Sequence, residues 1–167
     1  IGHEFTHGFD DKGSQYDGEG NLRNWWSAND RTEFEKRGGA IKDQARSYEV
    51  APGSFHNPDL IQGEALADLG GGTLALTALQ NSLKGQGFDQ KLDGFTPEQR
   101  FFQSFAQIWA SNARPEYIQQ QLATDSHPVS PFRVNQTLKN IPAFAAAFGV
   151  GPDDPMSLPE DKRAQLW

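Results

Sequence analysis

The sequence predicts a mostly α-helical chain, and three observations carry that expectation. Between about residues 62 and 83, Leu66, Leu69, Thr73, Leu76, Leu79 and Leu83 recur every three or four positions, the spacing of a helix with one apolar face. Thr96-Pro97-Glu98-Gln99 joins a cap, a proline at the first helical position and a glutamine at the capping-box place, and Pro115 and Ser130-Pro131 open two further segments. Almost no stretch alternates apolar and polar with the period of two that marks a strand, and no repeat is visible.

The elements follow in order. Residues 1–9 have helical spacing. Residues 10–21 are dense in Asp and Gly and read as a loop or tight hairpin. From 27 to about 48 charges alternate in sign, Ser27 can cap and Asp30 follows three residues later, so a helix is expected, weakened by Gly38-Gly39. Residues 50–61 hold Pro52, Gly53 and Pro58 and read as loop, with His56 at the surface. Gly70-Gly71-Gly72 lies inside the leucine-patterned helix. Each glycine there is about 1 kcal/mol worse than alanine, so the triplet points to close packing against another backbone. Phe101, Phe102, Phe105, Ile108 and Trp109 form a stripe on the next helix. The Pro115 segment should run to about residue 124, and 125–130 is loop. The helix from Ser130 breaks at Pro142, and Phe144 and Phe148 continue it to Gly149.

Composition bounds the function. The 167 residues leave room for one domain of ordinary size. The net charge of −7 is spread along the chain, without the clustered cations that a nucleic-acid partner requires. Absence of cysteine excludes disulfides, cysteine zinc ribbons and a thiol nucleophile. Residues 141–150, the longest weakly polar stretch, are interrupted by Pro142 and Gly149 and fall well short of the roughly 20 apolar residues of a spanning helix. No charged start followed by an apolar run marks a signal peptide. The chain opens Ile1-Gly2-His3-Glu4 without methionine, and its strongest motif begins at residue 3. A helix there would lack its first turns and cap, so a fragment of a longer protein is expected.

That motif is His3-Glu4-Phe5-Thr6-His7, an H-E-x-x-H pattern. Four residues on a helix bring both imidazoles to one side, where they can share one ion. Glu4 reaches the same edge and can take a proton from a water activated there. Two surface histidines on an ordinary helix fit the same five residues, so context decides. Glu64-Ala65-Leu66-Ala67-Asp68 supplies it: two carboxylates four apart among apolar neighbours. Glu64 can be a third ligand, and Asp68 can accept the outer N–H of a ligating imidazole. Two decoys are set aside. Asp17-Gly18-Glu19-Gly20-Asn21 lacks the glycine and closing glutamate of a calcium loop. Gly70-Gly71-Gly72 lacks the Lys-Ser/Thr of a phosphate loop.

Residues 3–11 followed by Gly63-Glu64-Ala65-Leu66-Ala67-Asp68 resemble the neprilysin and endothelin-converting-enzyme family of zinc endopeptidases. The family usually has Glu-Asn where this chain has Glu64-Ala65, which leaves ligand and supporting acid in place. Further matches are Trp25-Trp26, Gln99-Arg100-Phe101-Phe102, Phe105-Ala106-Gln107-Ile108-Trp109, Arg114-Pro115-Glu116-Tyr117, Asp125-Ser126-His127-Pro128, Phe132-Arg133-Val134-Asn135 and Trp167. The resemblance covers essentially the whole chain.

The resemblance implies an α+β zincin, thermolysin-like catalytic domain. Residues 1–167 would be its predominantly α-helical C-terminal part, with the active-site sheet mostly upstream of residue 1. It implies one zinc ion per chain, bound by His3, His7 and Glu64. Glu4 is then the general base and Asp68 supports the His3 ring. His127, oriented by Asp125, stabilises the oxyanion, and Arg133 holds a substrate backbone carbonyl. Ile108 and Trp109 match part of the apolar pocket beyond the cleaved bond, while Phe101 and Phe105 are expected in the core. His127 in a Pro-bounded loop also fits a plain surface histidine. Arg133, on the first turn of a helix, sits badly for a cation by the dipole, which hints at a carboxylate or carbonyl partner.

The implied activity is hydrolysis of oligopeptides on the amino side of hydrophobic residues. The partners are peptide substrates and the missing N-terminal part, which carries a roofing helical domain and an Asn-Ala edge strand. A metal- or peptide-binding fragment without turnover is the alternative. Animal members are disulfide-rich, so a cysteine-free chain points to a bacterial enzyme, periplasmic or secreted in preference to cytoplasmic.

Overall fold

The computed structural model describes residues 1–85 and 90–166; the expected match at Trp167 lies outside them. Helix α1 spans Gly2–His7, α2 Ala28–Ser47, α3 Pro58–Ser82, α4 Pro97–Gln107, α5 Pro115–Thr124, α6 Ser130–Lys139 and α7 Pro142–Phe148. Strands β1 (Glu49–Ala51) and β2 (Ser54–Phe55) form an antiparallel hairpin between α2 and α3. Among the described residues no helix is long and apolar enough to cross a membrane.

Local capping chemistry sets most of these boundaries. Ser27 accepts from the Asp30 backbone N–H at 3.1 Å and starts α2. The Thr96 and Gln99 side chains each accept from the other's backbone N–H, at 3.2 and 3.0 Å, closing the capping box of α4. Pro142 ends α6 and opens α7, and Gly149 stops α7 in the left-handed conformation at φ 66°. Near Asp17, a Tyr16–Leu22 bridge makes the tight hairpin, and the Asp17 carboxylate accepts from the Glu19 and Asn21 N–H groups.

The stretch read as loop over 50–61 is corrected. Helix α3 begins at Pro58, four residues before the leucine pattern becomes visible, because Asn57 caps it and proline is compatible with a first helical position. Ahead of it, Pro52 and Gly53 form the turn of the hairpin, with Gly53 at φ 72°. Strands of three and two residues are too short to show alternation.

His56 is not at the surface. It is 5% exposed, its ring lies 4.9 Å from that of Phe132 and 6.4 Å from that of Tyr48, and its Nε2 accepts the Val129 backbone N–H at 3.0 Å. The hairpin tucks the residues before α3 beneath α6, a tertiary path with no periodicity to announce it.

Helix α3 runs through the centre of the core. Ile61, Leu66 and Leu69 pack with Ile41 and Ala45 of α2, Phe132 and Leu138 of α6, Ile141, and Phe102 of α4. The expectation that Phe101 and Phe105 lie in the core is also corrected. Phe102 is the fully buried ring, in edge-to-face contact with Phe144. Phe101, Phe105 and Ile108 share the i, i+4, i+7 face of α4 and border an open cleft, Phe101 and Phe105 only partly buried.

The glycine triplet meets another backbone, as expected, at one of its three positions, Gly71, and a side chain at a second, Gly70. A Cβ on Gly71 would lie 2.5 Å from the His3 backbone nitrogen, and one on Gly70 would lie 2.6 Å from the Thr6 side chain. At Gly72 only ordinary contacts arise, the nearest 3.6 Å from Ile141. Helix α1 therefore rests on bare α3 backbone at Gly70 and Gly71. Thr6, fully buried at this seam, donates its hydroxyl to the Gly2 carbonyl at 2.8 Å.

Gly71→Ala should lower stability by about 2 kcal/mol or more, since backbone and not a pliant side chain must yield. Gly39→Ala, with nothing within 4 Å of the added methyl, should raise it by about 0.5–1 kcal/mol. Chemical denaturation of the two variants checks both; equal small effects would contradict the seam.

Candidate metal centre

The seam between α1 and α3 fixes the site. His3 and His7 project from one side of α1, with ring centroids 4.6 Å apart and planes nearly perpendicular. Behind each stands a carboxylate. His3 Nδ1 donates to Asp68 Oδ1 at 2.9 Å, and His7 Nδ1 donates to Asp10 Oδ2 at 2.7 Å. With Nδ1 carrying the proton, each neutral ring presents a bare lone pair at Nε2. Those two Nε2 atoms are 3.0 Å apart. Glu64 adds its oxygens at 3.2 Å from His3 Nε2 and 3.6 Å from His7 Nε2.

Three acceptors facing one another repel unless a cation lies between them. Their separations bracket the roughly 3.3 Å edge of a tetrahedron with metal–ligand bonds of about 2.0 Å. Among the described residues, His3, His7 and Glu64 are the one group of histidines and acids whose ligand atoms lie within 4.8 Å of one another. The donor set fits a zinc-like ion, and these three residues could hold it. The Asp68 hydrogen bond, opposed by burial, raises the His3 pKa above its ordinary value in the metal-free protein.

Asp10 is the residue that sequence reasoning missed. Its place in an Asp- and Gly-rich stretch reads as loop composition, yet it is 4% exposed. Its Oδ1 accepts the Lys12 and Gly13 N–H groups at 2.9 and 2.7 Å, which aims Oδ2 at His7. The available signal was its spacing, three residues beyond His7.

Asp68 serves two cations. Its other partner is Arg133, whose Nε and Nη2 reach Oδ2 and Oδ1 at 2.7 and 2.8 Å. Both residues are buried, and the guanidinium stacks 3.8 Å from the Trp109 ring. Arg133 Nη2 also lies 3.5 Å from Glu64. The awkward cation on the first turn of α6 thus has a carboxylate partner that outweighs the dipole.

His127 enters from the loop between α5 and α6. Asp125 Oδ1 accepts from its backbone N–H at 2.9 Å and from Nδ1 at 2.8 Å, leaving Nε2 3.2 Å from Glu64. The backbone N–H of His127, and then its ring, hold the Asp125 carboxyl below its usual range. A cleft of about 590 Å³ joins these groups. Glu4, His3, Glu64, Asp68, His127 and Arg133 form its polar side, and Phe101, Phe105, Ile108 and Trp109 its apolar wall. Glu4 and Ile108 are exposed at its rim. All the site residues expected from sequence therefore converge, Asp125 behind His127 and His7 beside Glu64.

The family model for peptidase family M13 matches residues 1–164. The chain belongs to peptidase family M13. Among M13 relatives, neprilysin-11 of Caenorhabditis elegans is 40% identical over all of this chain, which spans 20% of that protein. Human endothelin-converting enzyme 1 is 38% identical, with 22% of its length covered. The M13 fold is shared in three dimensions. The zinc metalloprotease Zmp1 of Mycobacterium tuberculosis, solved with an inhibitor, matches 99% of this chain and 26% of its own with TM-score 0.94 and 41% identity. PepO of Lactobacillus rhamnosis, at 34% identity and TM-score 0.81, matches 99% of this chain and 25% of its own. The chain thus spans about a fifth of the curated M13 relatives it matches.

The two supporting carboxylates of this M13 site should separate experimentally. Asp10→Ala should weaken zinc binding about 10–100-fold with modest effect on stability. Asp68→Ala should weaken it similarly and also cost about 3–5 kcal/mol, because it strands buried Arg133. Competition with a chromogenic chelator, alongside chemical denaturation, distinguishes them. Unchanged zinc affinity in both would show that neither carboxylate supports the site.

Proposed function

We propose that residues 1–167 are the C-terminal part of the catalytic domain of a zinc-dependent endopeptidase with the α+β zincin fold. It would hydrolyse peptide bonds of oligopeptides on the amino side of hydrophobic residues. The observation that carries this reading is the convergence of three lone-pair donors beside Glu4 and His127, at the mouth of an apolar-walled cleft. The relatives' names, neprilysin, endothelin-converting enzyme and zinc metalloprotease, support it.

A zinc ion held by His3, His7 and Glu64, one per chain, would supply Lewis-acid polarisation of the scissile carbonyl and a water of lowered pKa. Asp68 and Asp10 fix the imidazole tautomers that leave Nε2 free for it. Glu4, at the exposed rim, takes the proton of the attacking water and returns it to the leaving amine. His127, with Nδ1 bonded to Asp125, acts as an imidazolium and donates from Nε2 to the oxygen that gains negative charge. Arg133 gives Asp68 its Nε and one Nη2 donor, and its remaining N–H groups serve a substrate backbone carbonyl. Ile108 and Trp109, with Phe101 and Phe105, take the hydrophobic side chain that follows the cleaved bond. The rest of the longer protein completes the cleft.

Glu4→Gln in the full-length protein should cut kcat/KM for a quenched-fluorescent peptide by about 10²–10⁴-fold while zinc stays at one per chain. Undiminished turnover would overturn the catalytic reading.

A further inference from the structure

We infer that His56 is a positioning residue for the reaction, clamping the start of α3 to the start of α6 and so setting His127 against the metal-binding residues. The inference rests on the peptidase reading above. His56 precedes Asn57, the cap of α3, and Glu64 lies two turns along that helix. Its Nε2 accepts the Val129 N–H at 3.0 Å in a buried contact. Val129 is the N-terminal cap position of α6 and has no side-chain capping bond of its own.

Both functional groups of the α6 region hang from Val129. His127 is two residues before it, joined through the fully buried Pro128, whose ring limits the backbone rotation that could absorb a shift. Arg133 is one turn after it, its N–H bonded to the Val129 carbonyl at 3.1 Å. The two are secured differently. Arg133 is locked by its paired bonds to Asp68. His127, with half its side chain exposed, relies on Asp125 and on Gln121, which donates to the His127 carbonyl at 3.1 Å. Loss of the clamp therefore releases His127 more than Arg133.

The imidazole suits the task. Packed against Phe132 and Tyr48, it is pushed by burial down to a pKa of about 4, so it stays a neutral acceptor in working conditions. With Nε2 accepting, its proton sits on Nδ1, which is buried without a hydrogen-bond partner among the described residues. That orphaned donor is tolerated for an acceptor at Val129.

The test uses the full-length zinc-loaded protein carrying His56→Leu or His56→Gln. His56→Leu should lower kcat about tenfold or more, as misplacement near 1 Å does, with KM changed less than about threefold and zinc still one per chain. Amides of residues 125–134 should exchange faster with deuterium, the rest of the chain unchanged. His56→Gln, whose amide oxygen can stand in for Nε2, should restore most of kcat and of the protection. If His56→Leu does not fold, His56→Asn, which carries its acceptor a bond short, takes its place. Unchanged kcat, equal loss in the leucine and glutamine variants, or faster exchange throughout the chain would each overturn the inference. Glu4→Gln in the same assay separates the two claims: turnover that survives it removes the peptidase reading, while exchange over 125–134 still reports the clamp.

Discussion

Helix α1 has only six residues and leans on the twenty-five-residue α3 where α3 has no side chain to interpose. Gly71 leaves room for the backbone of His3, and Gly70 leaves room for Thr6. This close contact brings the two imidazoles of α1 within reach of Asp68 and Glu64, which lie about one and two turns before it on α3. A helix of that length has little stability of its own. Its position is tertiary in origin, so the site depends on the seam more than on the intrinsic helicity of the residues that carry the chemistry.

Charge balance builds outward from there. Asp68 is 3% exposed and lies among apolar residues of α3, a costly place for a lone carboxylate. It is shared by His3 and Arg133, and Arg133 in turn is covered by the Trp109 ring. One buried acid thus links α1, α3, α6 and the end of α4. Asp10 does the same for His7 more locally, its second oxygen tied to backbone donors. The consequence is two imidazoles with fixed tautomers and opposed lone pairs, a configuration that favours a cation between them and disfavours an empty centre.

Much of this was legible in the residues. Helix starts at Ser27, Thr96, Pro115 and Ser130 could be read because caps and prolines act within one turn. The H-E-x-x-H spacing and the Glu64–Asp68 pair could be read because helix geometry alone puts each pair on one face. The glycine triplet announced a close approach, though Gly72 takes no part in it. What escaped was set by the path of loops. The β1–β2 hairpin is too short for periodicity, and it is the hairpin that buries His56. Asp10 looked like turn composition because its role comes from backbone donors two and three residues later. Phe101 and Phe105 share an apolar stripe with Phe102, and only the packing of α4 on α7 decides which ring is enclosed.

The grouping of His3, His7 and Glu64 has one consequence to measure: together they should hold one zinc ion. X-ray absorption at the zinc K edge of the metal-loaded full-length protein reads that coordination. The expected spectrum has a low-coordinate nitrogen and oxygen shell at about 2.0–2.1 Å, with the outer-shell scattering of two imidazoles. A shell of oxygen alone, or one with imidazole scattering from fewer than two rings, would contradict it.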